Sequence, residues 1–185
     1  MTRAPKKLLF LGDSLIEFFD WQSRFPEHRV YNLGVAGETV EGLLSRIYGI
    51  VQYLEKPDFI FIMTGINNVA MEHLDFIRSY RSIIGILVNA FPGSRIYIHN
   101  LTTTLFDWIP EESIKEVNLS LKKVAEEMGI GYIDIHRLFL DYAGNRVQDL
   151  FLPDGVHISD EGYEVWSHEV AGIIGDESRV HDTLT

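Results

Sequence analysis

Five short apolar runs, each followed by a longer segment, most restrict what this sequence can fold into. The runs are Lys7–Leu11, Arg29–Leu33, Asp58–Thr64, Arg95–Asn100 and Gly131–Ile135. They are mostly continuous rather than alternating, the pattern of strands covered by helices on both faces. Between them, Thr39–Leu54 carries Val40, Leu43, Leu44, Ile47, Val51 and Leu54 at steps of three and four, one buried helical stripe. Glu72–Phe91 reads as a long, more apolar helix. Pro110–Met128 opens with proline and two glutamates, a favourable first turn, and turns Ile114, Val117, Leu121, Val124, Ala125 and Met128 inward. Ser159 is a candidate N-cap for a last helix ending near Ile174. The polar stretch from Asp176 onward is expected to be loosely ordered. Repeated β-α units imply a parallel sheet with right-handed crossovers, hence one α/β domain over residues 1–185.

Composition bounds what such a domain does. A chain of 185 residues, 46% of them apolar, needs no metal or disulfide to build a core, since a domain of this size buries roughly 70% of its unfolded surface. It has no cysteine, which excludes disulfide frameworks, thiolate metal sites and a cysteine nucleophile. With 16 Lys+Arg against 27 Asp+Glu, the formal net charge is −11, which argues against nucleic acid or anionic membranes as partners. No apolar run approaches the roughly 18 residues of a membrane span. Leu8–Leu11 is too short for a secretory core, so the expected location is cytoplasmic.

In a parallel α/β sheet, ligand sites gather at the carboxyl ends of the strands. Four sequence features fall there. Gly12-Asp13-Ser14-Leu15 follows the first strand, where a serine either presents its hydroxyl to the crevice or merely caps a helix. Asn32-Leu33-Gly34-Val35-Ala36-Gly37 follows the second, where glycines let a backbone N–H approach a ligand or simply make a turn. Its spacing is not a dinucleotide fingerprint. Thr64-Gly65-Ile66-Asn67-Asn68 closes the third, offering an amide donor to a developing charge or an Asx-turn. Near the C-terminus, Pro153-Asp154-Gly155-Val156-His157 places a carboxylate three residues before an imidazole, a spacing that chance also produces. Each signal is weak alone. Jointly they supply a nucleophile, its base, the base's orienting group and oxyanion donors, the requirements of acyl transfer.

These four blocks, in this order, resemble the GDSL family of lipases and esterases, the SGNH hydrolases. The resemblance implies a flavodoxin-like three-layer α/β/α sandwich with a five-stranded parallel sheet. It implies Ser14 as nucleophile, Asp154 and His157 completing a triad, and Ser14, Gly37 and Asn67 forming an oxyanion hole. One departure is visible: the third block usually reads G-x-N-D, and here Asn68 stands in place of the Asp. A G-x-N-N block also occurs in relatives resembling platelet-activating-factor acetylhydrolase, which points to short acyl groups.

Asp13, Asn68, His99 and Thr102 are candidate substrate contacts by their places at strand ends. Phe106, Trp108 and Ile109 form either an apolar pocket wall or a loop anchor. His136 reads as packing rather than as a metal ligand. The expected substrate is a small acyl ester, with no metal or organic cofactor required. The competing expectations are a flavodoxin-like small-ligand binder, which leaves the Asp154/His157 pair without a purpose, and a catalytically silent interaction module.

Overall fold

A computed structural model describes residues 4–175. In chain order the elements are β1 (Lys7–Gly12), α1 (Ser14–Glu17), α2 (Trp21–Arg24), β2 (Arg29–Gly34), α3 (Val40–Tyr53), β3 (Phe59–Met63), α4 (Ile66–Ala70), α5 (Ile77–Ala90), β4 (Arg95–His99), α6 (Glu111–Met128), β5 (Gly131–Ile133) and α7 (Asp160–Gly175). Two short 3-10 turns, His136–Phe139 and Gln148–Leu150, lie between β5 and α7.

All neighbouring strands pair in parallel, in the order β2-β1-β3-β4-β5. This is the flavodoxin-like order, in which the winding reverses at the crevice beside β1 and β3. Every residue of β3 is buried, as its unbroken run FIFIM anticipates. On one face of the sheet Phe10 stacks on Trp21 at 4.1 Å and on Phe61 at 5.0 Å, and Trp166 of α7 meets Trp21 edge-on at 5.2 Å. The opposite face is covered by α3, α5 and α6, whose apolar stripes are buried. None of the described helices is long and apolar enough to cross a membrane.

Two elements depart from expectation. The helix expected from Glu72 begins at Ile77. The chain first makes α4 and then a turn, in which the Met71 and His73 N–H groups donate back to the Asn68 carbonyl and Glu72 takes a positive φ of 59°. The fifth strand stops at Ile133 rather than Ile135. There the Asp134 carboxylate accepts from Asn100 at 2.8 Å, and the Asn100 amide oxygen accepts the His136 N–H at 2.9 Å, drawing the chain out of the ladder. Ser159 caps α7 as expected, its hydroxyl accepting the Gly162 N–H at 3.2 Å. The stretch from Asp176 onward lies outside the described residues.

Candidate active site

The site begins where β1 runs tightly against β3. A Cβ at Gly12 would lie 1.9 Å from the Met63 carbonyl oxygen, so only glycine permits this approach. Asp13 then caps α1, its Oδ1 accepting the Leu15 N–H at 3.1 Å. This cap sets Ser14 at the first helical position. The Ser14 hydroxyl lies 3.0 Å from His157 Nε2. Its own N–H has no partner among the described residues, as expected at a helix start.

His157 comes from the turn before α7. Gly155, at a φ of +72°, folds the turn so that its N–H meets the Leu152 carbonyl, and the Leu152 N–H meets the His157 carbonyl at 2.7 Å. The turn brings Asp154 Oδ2 to 2.7 Å from His157 Nδ1, while Oδ1 accepts the Val156 and His157 N–H groups at 3.0 and 2.9 Å. Partial burial by itself would raise the Asp154 pKa. The two N–H donors and the imidazole outweigh it and hold the carboxyl below its ordinary value. An imidazole so held keeps its proton on Nδ1 and presents a lone pair from Nε2 to the Ser14 hydroxyl.

The loop after β2 lies alongside. Of its four amides from Val35 to Glu38, three are engaged: Val35 donates to the Gly12 carbonyl at 2.9 Å, Ala36 to the Glu17 carboxylate, and Glu38 to the Val35 carbonyl at 3.1 Å. The fourth, Gly37, sits at a φ of +75° and has no partner for its N–H among the described residues. From α4, the Asn67 amide nitrogen donates one hydrogen to the Glu38 carbonyl at 2.9 Å, leaving its second hydrogen available. The Ser14 and Gly37 N–H groups and the second hydrogen of the Asn67 amide are thus uncommitted among the described residues.

A model of the GDSL-like lipase/acylhydrolase family matches residues 10–165. The chain belongs to the GDSL-like lipase/acylhydrolase family. It is a carboxylic ester hydrolase. Solved structures place the fold in the same company. A Streptococcus pneumonia protein provisionally named a platelet activating factor superposes with a TM-score of 0.82 at 21% identity, over 92% of this chain and 84% of that one. The lipase/acylhydrolase of Enterococcus faecalis gives 0.76 at 20% identity, over 91% and 95%. Axe2, an acetylxylan esterase of Geobacillus stearothermophilus, gives 0.75 at 22% identity, over 95% and 98%. A comparison with curated proteins finds no sequence match.

In this GDSL-like hydrolase, the structure buries the four residues expected to touch substrate. Asp13, Asn68, His99 and Thr102 are each at most 2% exposed. Asp13 is spent on capping, and burial pushes its carboxyl up to about 7, partly offset by the Leu15 and Gly65 N–H groups and by His157. His99 accepts the Trp166 indole N–H at 3.0 Å, and burial takes its pKa down to about 3, so it stays neutral in the core. Thr102 Oγ1 is buried with no hydrogen-bond partner among the described residues. Asn68 accepts the Val40 N–H at 2.9 Å and donates to the Glu41 carboxylate at 2.8 Å, docking α4 on α3. An aspartate could not make that donation, so the Asn68 departure has a local structural use.

The open crevice is walled by other residues. It has a volume of about 220 Å³ and is lined by the apolar Ile66, Ala70, Phe106, Trp108, Ile109 and Val156 together with the polar Asn67, Asp154 and His157. Of the two readings of the loop after β4, the pocket wall matches its place in the crevice. Phe18, at the end of α1, holds its ring 5.3 Å from the His157 imidazole. His136 packs, Nε2 lying 2.7 Å from Glu111 Oε1. Among the described residues no three His, Asp or Glu side chains converge as a metal site.

Proposed function

We propose that this ester hydrolase works through Ser14, with His157 as general base and Asp154 as the group that orients it. The observation that carries the reading is the unbroken chain from Ser14 Oγ to His157 at 3.0 Å and on to Asp154 at 2.7 Å. Ser14 Oγ attacks the ester carbonyl as His157 Nε2 takes its proton. The carbonyl oxygen gains charge and moves toward the N–H groups of Ser14 and Gly37 and the free hydrogen of Asn67. A hole works in this way when its donors are fixed before the charge develops and need no reorganisation. The imidazolium, stabilised by Asp154, then protonates the departing alcohol. Water repeats the sequence on the acyl-enzyme, giving back the acid and the free serine.

The substrate is an ester of a short acyl group. A crevice of about 220 Å³ is smaller than the roughly 300–1,000 Å³ of sites that enclose drug-sized ligands. Its walls are apolar, which suits an alkyl chain. The acetylxylan esterase among the structural neighbours is in keeping with a small acyl group. The net charge of −11 disfavours strongly anionic esters. Hydrolysis of p-nitrophenyl esters from acetate to palmitate, with Ser14→Ala as blank, tests both parts. The expected result is highest kcat/KM at the short end and no turnover by the variant. Full activity of Ser14→Ala would remove the assignment, and a preference for palmitate would remove the short-acyl reading.

A further inference from the structure

The oxyanion role proposed for Asn67 depends on what holds its amide, and the structure leads from that amide to a charge pair the reaction itself does not use. Asn67 donates to the main-chain carbonyl of Glu38. The side chain of the same Glu38 folds beneath α3, where only 8% of it is exposed. Both of its oxygens are taken by one guanidinium: Arg46 Nε reaches Oε1 at 2.6 Å and Nη2 reaches Oε2 at 2.6 Å. Arg46 Nη2 also donates to the Leu33 carbonyl at 2.8 Å, at the end of β2. Arg46 therefore ties the start and the end of the loop that carries Gly37.

Gly42 lies in the first turn of α3, and a Cβ there would come within 2.7 Å of Glu38 Cγ. Glycine is a poor helix residue, so its presence fits the need to seat this carboxylate. A largely buried ion pair is weak grounds for stability, because desolvation cancels most of the attraction. What a two-pronged Arg–carboxylate contact supplies is fixed geometry.

We propose that Arg46 is a positioning residue for the reaction: by gripping Glu38 it fixes the Glu38 carbonyl, and through that carbonyl it aims the second hydrogen of Asn67 at the oxyanion. The inference rests on the oxyanion reading above. Arg46 is in the middle of α3 and lines no part of the crevice, so it acts on the reaction only through the loop.

The test is a double-mutant cycle on p-nitrophenyl acetate hydrolysis. Arg46→Lys keeps the charge and loses the fork; the pair Glu38→Gln with Arg46→Met removes both charges and leaves none buried alone. Each is expected to lower kcat about 10- to 100-fold with KM nearly unchanged, less than the 10²–10³ that deleting one oxyanion donor costs. Circular dichroism identifies which variants fold. In an Asn67→Ala background the same changes should have almost no further effect, because the donor they position is gone. Wild-type kcat in the folded charge-free variant, or a loss that persists undiminished without Asn67, overturns the proposal. If Asn67→Ala itself leaves kcat intact, the oxyanion reading fails and this inference with it. If Asn67→Ala lowers kcat and the Arg46 changes do not, only the positioning role is overturned.

Discussion

Replacing Asp154 by Asn changes one atom and should disable the imidazole. The carboxylate uses Oδ1 for two main-chain N–H groups at 3.0 and 2.9 Å and Oδ2 for His157 Nδ1 at 2.7 Å. In Asp154→Asn the single oxygen stays with the two N–H donors, since turning it away would leave both unpaired. The NH2 then faces Nδ1 and can only donate, which moves the imidazole proton to Nε2. That nitrogen, 3.0 Å from Ser14 Oγ, is now itself a donor and cannot take the serine's proton. Where the carboxylate of such a triad is buried, this change costs about 10⁴ in kcat. Here the Asp154 side chain is 48% exposed, so water can partly restore the productive tautomer. We expect a loss of about 10³, or about 4 kcal/mol at 1.36 kcal/mol per tenfold. Steady-state hydrolysis of p-nitrophenyl acetate at pH 7–8 reads it, with a thermal melt to establish that the variant folds. A folded variant within tenfold of wild type would refute the tautomer argument, as would a loss confined to KM.

Burial raises the Asp13 carboxyl to about 7, so between its ordinary value and that pH the folded state holds a proton the unfolded chain has lost. Its contribution to stability therefore falls as pH rises through this window and is constant above it, and a ¹³C carboxyl titration below pH 5 would contradict the burial. Trp21 is fully buried, stacks on Phe10 and donates its indole N–H to the Ile16 carbonyl at 3.0 Å. Trp21→Ala should destabilise by about 3–5 kcal/mol in urea unfolding, and a cost under about 1 kcal/mol would show that the aromatic cluster is not a close-packed core. Ala70 lines the crevice, so Ala70→Leu should lower kcat/KM for hexanoate about 10-fold or more relative to acetate. An equal effect on both esters would place the acyl chain elsewhere.

The architecture was largely legible because its signals are long. Five apolar runs located the strands to within two residues, and Val40, Leu43 and Ile47 on α3 and Ile114, Leu121 and Val124 on α6 are buried as their spacing requires. Helices α1, α2 and α4, of four or five residues, complete too few turns to leave a periodicity. The late start of α5 was hidden because Glu72–Asp75 are compatible with a helix until the Asn68 carbonyl captures the preceding turn. At the site, Ser14, Asp154 and His157 stood out because their chemistry is specific and their motifs follow one another in order, and the fold brings them together. His99 is drawn into the core for a reason sequence does not carry: at the end of β4, one residue decides which side of the sheet a side chain occupies. Trp166, 67 positions after His99, is the residue that claims it. The Glu38–Arg46 fork spans the loop–helix junction and matches no helical spacing signal, although Gly42 in a first helical turn was a visible oddity.

As the proposed nucleophile, Ser14 is the group acylated during turnover. Incubation with a fluorophosphonate, followed by intact-mass measurement and peptide mapping, tests it directly. One adduct per chain is expected, on the peptide carrying Ser14, formed in proportion to the loss of esterase activity and absent from Ser14→Ala. An adduct on another residue that accompanies the inactivation, or full inactivation with Ser14 unmodified, would contradict it.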